Sequence, residues 1–324
     1  MTVLKFDIQK ENMEPNEGES FKQGTECRKR SSRSGLVEII RMPFFMLLFL
    51  LLAGHVKPGL FGQALLPGEP DAPSATRTAS VSGNWNSTTT WGGQSVPASG
   101  DVVNINPGIT VTVTANATCA SLTFLATSAT TSTVSVNTGI TLTVTGQVKL
   151  NSATGNNSSC QVTGAGQLSC GSVLVGTNLA PTAIRTTIMS ASIAALNITG
   201  NLTVSSYRGL SDTRLINSTF NLQSGVVDVN GNLAMTNENA VNTCTFTMAS
   251  GAQSGTLRVS AASPFSVTTT GTANLVLNGT NSLVHYDGTN QEIRATTYTH
   301  LELSGTGSKT IAASTTVTVN GNLT

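Results

Sequence analysis

The chain repeats one local phrase: apolar and polar residues alternate for a few positions, then a Gly follows beside Asn or Thr. It reads LNITGNLTV from Leu196 to Val204, VVDVNGNLAM from Val226 to Met235, and TVTVNGNLT from Thr316 to Thr324. Side chains of an extended chain alternate between two faces. The pairs Ile109/Val111/Val113, Ile140/Leu142/Val144, Val227/Val229, Leu257/Val259, Leu275/Leu277, Leu301/Leu303 and Val317/Val319 therefore each make one apolar row. Their β-branched and aliphatic residues suit a pleated, half-buried surface. The Asn and Gly between them suit sharp corners, where a positive φ is tolerated. The chain reads as short strands and tight corners.

Two architectures satisfy that pattern. Val-Asn-Gly-Asn-Leu favours a two-residue hairpin turn, which would build an antiparallel β-sandwich. The same phrase can end one strand of a parallel β-solenoid and begin the next, each coil burying its apolar row on the coil below. The Gly of the phrase recurs at 146, 200, 231, 279 and 321, with no fixed period. One stretch, 181–196, has Ile184, Ile188 and Leu196 at helix-compatible spacing but is read as strand from its neighbours.

Charge divides the chain. The first 64 residues hold 9 of the 17 Lys and Arg and 7 of the 16 acidic residues. The remaining 260 carry 8 basic and 9 acidic groups, a surface of Thr, Ser, Asn and Gly without the clustered cations that nucleic acid requires. Residues 1–41 read as a charged leader. The basic CRKRSSRSGLVEIIR, the apolar MPFFMLLFLLLAG and the small residues Gly62 and Ala64 make 42–64 a signal segment, too short for a spanning helix. A start at Met13 would shorten the long leader. Residues 65–80, rich in Pro, Ala and Ser, read as a linker to a folded region at 81–324. The expected location is secreted or cell-surface, with membrane contact only through that segment if it stays uncleaved.

Export would place the cysteines where disulfides form. Beyond Cys27 in the leader stand Cys119, Cys160, Cys170 and Cys244, which allow three pairings. Cys160 and Cys170, ten residues apart, are the candidate loop closure. No Cys-x-x-Cys or neighbouring His suggests a metal.

Trp85 and Trp91 are the only tryptophans, and Gly92, Gly93, Val96, Pro97, Gly100, Asp101, Val103, Ile105, Val111, Val113, Leu122 and Phe124 follow them. This order, within 81–124, resembles the opening of G8-like domains in surface proteins of Bacteroidetes-type bacteria. The stretch 283–324, with Tyr286, Gly288, Gln291, Ile293, Tyr298, Leu301 and Leu303, resembles repeats of long adhesin-like proteins. The resemblance implies a right-handed parallel β-helix with an N-terminal cap. At about 20–25 residues per coil it implies about 10–12 coils and a rod on the order of 50 Å. Trp85 and Trp91 would cover the first coil's open end; as an alternative they would form a sugar-stacking platform. The phrase broken off at Thr324 is expected to continue in a longer protein.

Chemistry is sparse. Glycoside hydrolysis needs a matched carboxylate pair, and Asp101, Asp212, Asp228, Glu238, Asp287, Glu292 and Glu302 include no Asp-x-Asp or Glu-x-Glu. The densest group is His285, Asp287, Glu292, Arg294, His300 and Glu302. If its strands stack, His285, Asp287, His300 and Glu302 would converge as a metal or acid/base site; otherwise they are a solvated face. No catalytic, cofactor or metal residue is assigned. The sequons at Asn86, Asn197 and Asn217 are common in so Asn- and Thr-rich a chain. The expected role is a cell-surface structural or adhesive module, with glycans or cell-surface and matrix molecules as partners and no nucleic acid. The alternatives are a carbohydrate-active enzyme or binding domain, and a self-assembling fibre subunit.

Overall fold

The computed structural model describes residues 2–4, 74–125, 130–151, 157–177, 185–206, 216–237, 240–248 and 255–324. The rest of the leader, the signal-like segment and Cys27 lie outside them. Nearly every described segment is strand, and the only helical turn among them is the 3-10 turn Thr88–Trp91. No helix among the described residues is long and apolar enough to cross a membrane.

Alternation dictates the strands, and parallel stacking is how they bury their apolar rows. The sheet is wound into a β-solenoid with three ladders. The first ladder runs Thr76–Ala79, Val102–Ile105, Ser121–Leu125, 148–151, 173–177, Leu202–Ser206, Leu233–Asn237 and Phe265–Thr269. The second runs from Gly83–Asn84 through Thr110–Val113 and Thr131–Val136 to Thr243–Met248 and Thr272–Val276. The third runs from Ala117–Cys119 to Gly255–Val259, Leu283–Tyr286 and His300–Leu303. Long strands such as Ser158–Thr177 turn the corners and belong to all three ladders. Neighbours in all three ladders run parallel, so the antiparallel sandwich does not form. Thr2–Leu4 adds one antiparallel pair on Val317–Val319.

Register gives the coil length. Val162 lies beside Ala191 and Ala191 beside Leu222, steps of 29 and 31 residues. Coil length varies about the expected 20–25 residues, from 17 between Val284 and Leu301 to 32 between Leu233 and Phe265, and each ladder holds eight strands rather than 10–12. At ~4.8 Å per strand a ladder is on the order of 35 Å long. Inward rows stack like on like: Cys119, Val144, Cys170, Ile198, Val229, Val259 and Tyr286 form one buried line. Another brings Phe220 onto Phe246 with parallel rings 5.6 Å apart. Each such side chain contributes about 1.5–3 kcal/mol by leaving water, and repetition along the rod makes the interior one continuous core.

The recurring Gly sits where the third face hands over to the first. The amide of Gly146 donates to Ala120 O at 2.8 Å, Gly200 to Gly171 O at 2.8 Å, and Gly231 to Gly200 O at 3.0 Å. A Cβ at any of these positions would come within 2.5–2.7 Å of the carbonyl oxygen beside it. None of these glycines has a positive φ, so close backbone approach requires Gly here, not a left-handed turn. This corrects the reading of the phrase as a positive-φ turn.

Two other expectations change and a third holds. The linker loses its last residues, because Thr76–Ala79 opens the first ladder. Cys160 and Cys170 remain free, buried thiols. They lie on two different faces of one coil, Cys160 between Ser132 and Met189 and Cys170 between Val144 and Ile198. The stretch with helical spacing is strand from Arg185 onward. Trp85 and Trp91 are fully buried and meet edge-to-face at 5.1 Å, with Trp91 Nε1 donating to Trp85 O at 2.7 Å. Neither ring offers a face for a sugar.

Candidate functional site

The middle position of each third-face strand points outward, and register lines these positions up. Thr118, Thr143, Ser169, Asn197, Asp228, Arg258, His285 and Glu302 follow one another, one per coil. The first four are uncharged; the last four concentrate the charge of the face.

Arg258 stands between two carboxylates. Its Nη2 is 2.6 Å from Asp287 Oδ2, and its Nη1 is 3.6 Å from Asp228 Oδ2. Asp287 also accepts from Ser260 Oγ at 2.8 Å. Asp228 Oδ1 and Arg258 Nε are buried without a hydrogen-bond partner. Burial pushes the Asp228 carboxyl above its ordinary range, Arg258 pulls it back, and the neighbouring Asp287 adds to the rise. One coil on, His285 Nε2 lies 2.6 Å from Ser304 Oγ and 3.6 Å from Glu302 Oε1.

The six residues grouped from sequence separate into three places. Register sets His285 beside Glu302 and Leu283 beside His300. His300 therefore does not meet His285; its Nδ1 accepts the Asn322 amide at 3.0 Å, beside an open hollow of about 260 Å³ shared with Leu283 and Glu302. Asp287 turns to Arg258. Although these strands stack, the four titratable groups do not converge, and no group of three or more His, Cys, Asp or Glu among the described residues is placed to hold a metal. Asp228 and Arg258 were not singled out from sequence, although each occupies the middle of an apolar-x-apolar triplet. Aligning VDV, LRV, VHY and LEL would have stacked them with His285 and Glu302.

Glu292 and Arg294 lie on another side of the last coils. Strand Gln291–Ile293 pairs with Lys309–Ile311 outside the three ladders. The two side chains border an open pocket of about 240 Å³ with Pro264, Phe265, Ala312 and Thr315. Arg294 lies just past its strand, so its backbone lacks a ladder partner, and two buried tyrosines supply one. Arg294 N donates to Tyr286 Oη at 3.1 Å, Tyr298 Oη donates to Arg294 O at 2.7 Å, and the two hydroxyls meet at 2.9 Å. Since Tyr298 spends its proton on the carbonyl, Tyr286 donates to Tyr298, closing a hydrogen-bonded ring.

Comparison with protein-family models, with curated proteins and with solved structures finds no match for this chain.

Proposed function

We propose that this chain is an exported, surface-displayed solenoid module whose work is structural and adhesive, with glycans as the class of partner. The observation that carries the reading is the second-face outward row Thr110, Thr133, Gln161, Ser190, Asn221 and Thr247. It sets six uncharged hydrogen-bonding side chains in register along the rod. Such a row offers many weak, evenly spaced contacts to a polymer rich in hydroxyls, and no field to attract polyanions. Several of the charges that do occur are spent on one another: Arg77 on Asp101, and Arg258 on Asp228 and Asp287. The signal-like segment at 42–64 and the resemblance of 81–124 to G8-like domains support export and display.

A second reading has one observation in its favour. Asp228, with its raised carboxyl, stands near Asp287, and two carboxylates in unlike environments are the signature of acid/base chemistry. The guanidinium held between them favours a structural role instead. Cell fractionation of the full chain, a glycan array and a polysaccharide-depletion assay test both readings. Surface location with array binding and intact polysaccharides is the expected result. Intracellular retention with no glycan bound overturns the first reading, and chain cleavage lost in Asp228→Asn establishes the second.

A further inference from the structure

The pocket bordered by Glu292 and Arg294 has features that the rows of the faces lack. Its lining mixes Phe265 and Ala312 with the polar Ser263 and Thr315, and the half-buried Phe265 is held edge-to-face by Tyr286 at 6.1 Å. Two charged side chains of opposite sign stand at its rim, two residues apart and on one side of the chain. Neither makes an ion pair or side-chain hydrogen bond with any described residue, unlike Arg77, Arg258 and Asp287. The backbone of Arg294 is fixed by the closed ring with Tyr286 and Tyr298. That ring fixes the point at which the Arg294 side chain leaves the backbone, at the rim of the pocket.

We infer that this pocket is a subsite for a neutral pyranose, resting on the reading of the chain as a glycan-contacting module. Each sugar hydroxyl both donates and accepts. A carboxylate, which only accepts, beside a guanidinium, which only donates through a planar fork, complements a pair of vicinal hydroxyls. The partly exposed Phe265 ring meets the C–H face of the sugar, and the polar groups around it fix the orientation. Sign selects the substrate class. A charged sugar that pairs with one rim group lies beside the other, of its own sign, two residues away, whereas an uncharged ring meets no like charge. At 240 Å³ and open on one side, the pocket takes a single ring and leaves room for the rest of a glycan to exit.

Ligand-observed NMR and calorimetry on the full chain test this, with methyl glucopyranoside, methyl galactopyranoside and methyl mannopyranoside against glucuronate and glucosamine. One or more neutral pyranosides should bind in preference to both charged sugars. Arg294→Ala should weaken that binding by about tenfold or more, as loss of a charged hydrogen-bond partner does. Glu292→Gln, an exposed change that leaves the fold intact, should weaken it as well, and Phe265→Ala is read only where its melting curve matches the parent. Preferred binding of glucuronate or glucosamine overturns the assignment of a neutral sugar. Array binding that survives Arg294→Ala and Glu292→Gln unchanged overturns this subsite and leaves the broader glycan reading standing. No binding to any pyranoside or array glycan overturns both.

Discussion

The amide of Gly231 donates to the carbonyl of Gly200 at 3.0 Å, and a Cβ on Gly231 would lie 2.5 Å from that same oxygen. One hydrogen bond between successive coils thus excludes every side chain from the corner. Gly231→Ala must push two coils apart, and the expected cost is about 3 kcal/mol, the upper part of the overpacking range. Gly100→Ala, where a Cβ meets nothing within 4 Å, should change stability by less than about 1 kcal/mol. Denaturant midpoints compare the two; equal midpoints would remove the corner argument.

Asp101 ties the first strand of the rod to the second coil. It accepts from Ala98 N at 3.0 Å, Ala75 N at 2.9 Å and Arg77 Nε at 3.2 Å. Its carboxyl is held below the usual 3.8, first by the Ala98 amide and then, against the opposing effect of burial, by the Ala75 amide and Arg77. A depressed acid contributes stability that is complete above its unfolded value and disappears as pH falls through the lower folded one. Thermal melts should therefore show an acid loss below about pH 3.8 that Asp101→Asn lacks. At neutral pH that variant should be less stable by about 2 kcal/mol, because its amide faces two donors. Hydrogen exchange should show Thr76–Ala79 opening first.

Removing Arg258 leaves Asp228 and Asp287 facing each other without a cation. Asp228 already has a raised carboxyl from burial, relieved by Arg258, so Arg258→Met raises it further. The deficit is present above the folded value, where both groups are charged, and fades as pH falls and protons neutralise them. With Arg258 partly in solvent, the expected loss at pH 7 is about 1–2 kcal/mol. A deficit that does not shrink toward pH 4 would show that the guanidinium acts by packing alone.

The four cysteines of the coils are buried and unpaired. Burial raises the thiols of Cys119 and Cys170 to about 12 and that of Cys244 to about 11, and puts Cys160 well above its ordinary value. They should react with maleimide only on unfolding. Reducing agent should leave the melting temperature unchanged, whereas a drop on reduction would reinstate the Cys160–Cys170 bridge.

Tyr298→Phe deletes the proton that Arg294 O accepts and the oxygen that Tyr286 needs. Two buried polar groups lose partners, which costs about 2–4 kcal/mol. Arg294 should gain backbone motion in relaxation measurements, while Leu283–Tyr286 stays ordered. An unchanged Arg294 amide would mean the tyrosine ring does not position it.

The strands and corners were legible because alternation and Gly are local signals. The direction of pairing was not, since Val-Asn-Gly-Asn-Leu fits a reversal and a coil corner alike, and only the stacking of Gly200 on Gly171 separates them. Gly171 itself escaped notice because SCGSVLV lacks the Asn and its strand runs through the corner unbroken. The site was read from proximity along the chain, which gathered 285–302. His285 and Glu302 do meet, being one short coil apart. Asp228 and Arg258 stand about thirty residues from their neighbours in sequence, so register alone reveals them. Glu292 and Arg294, close in number to His285, lie on a different side of the coil.

Passage from the first ladder to the second takes unequal lengths of chain. Five residues separate Leu125 from Thr131, nine separate Ser206 from Ile216, and two separate Thr269 from Thr272. The opposite passage, threaded by glycines, has no such freedom near Gly200 and Gly231. This seam of the rod thus accepts chains of unequal length, where the corners at Gly200 and Gly231 do not. A foreign peptide spliced between Ser206 and Ile216 would be carried as a side branch, while the same splice beside Gly200 would part the coils. A repeating scaffold with a permissive seam can diversify what it displays while its winding stays fixed.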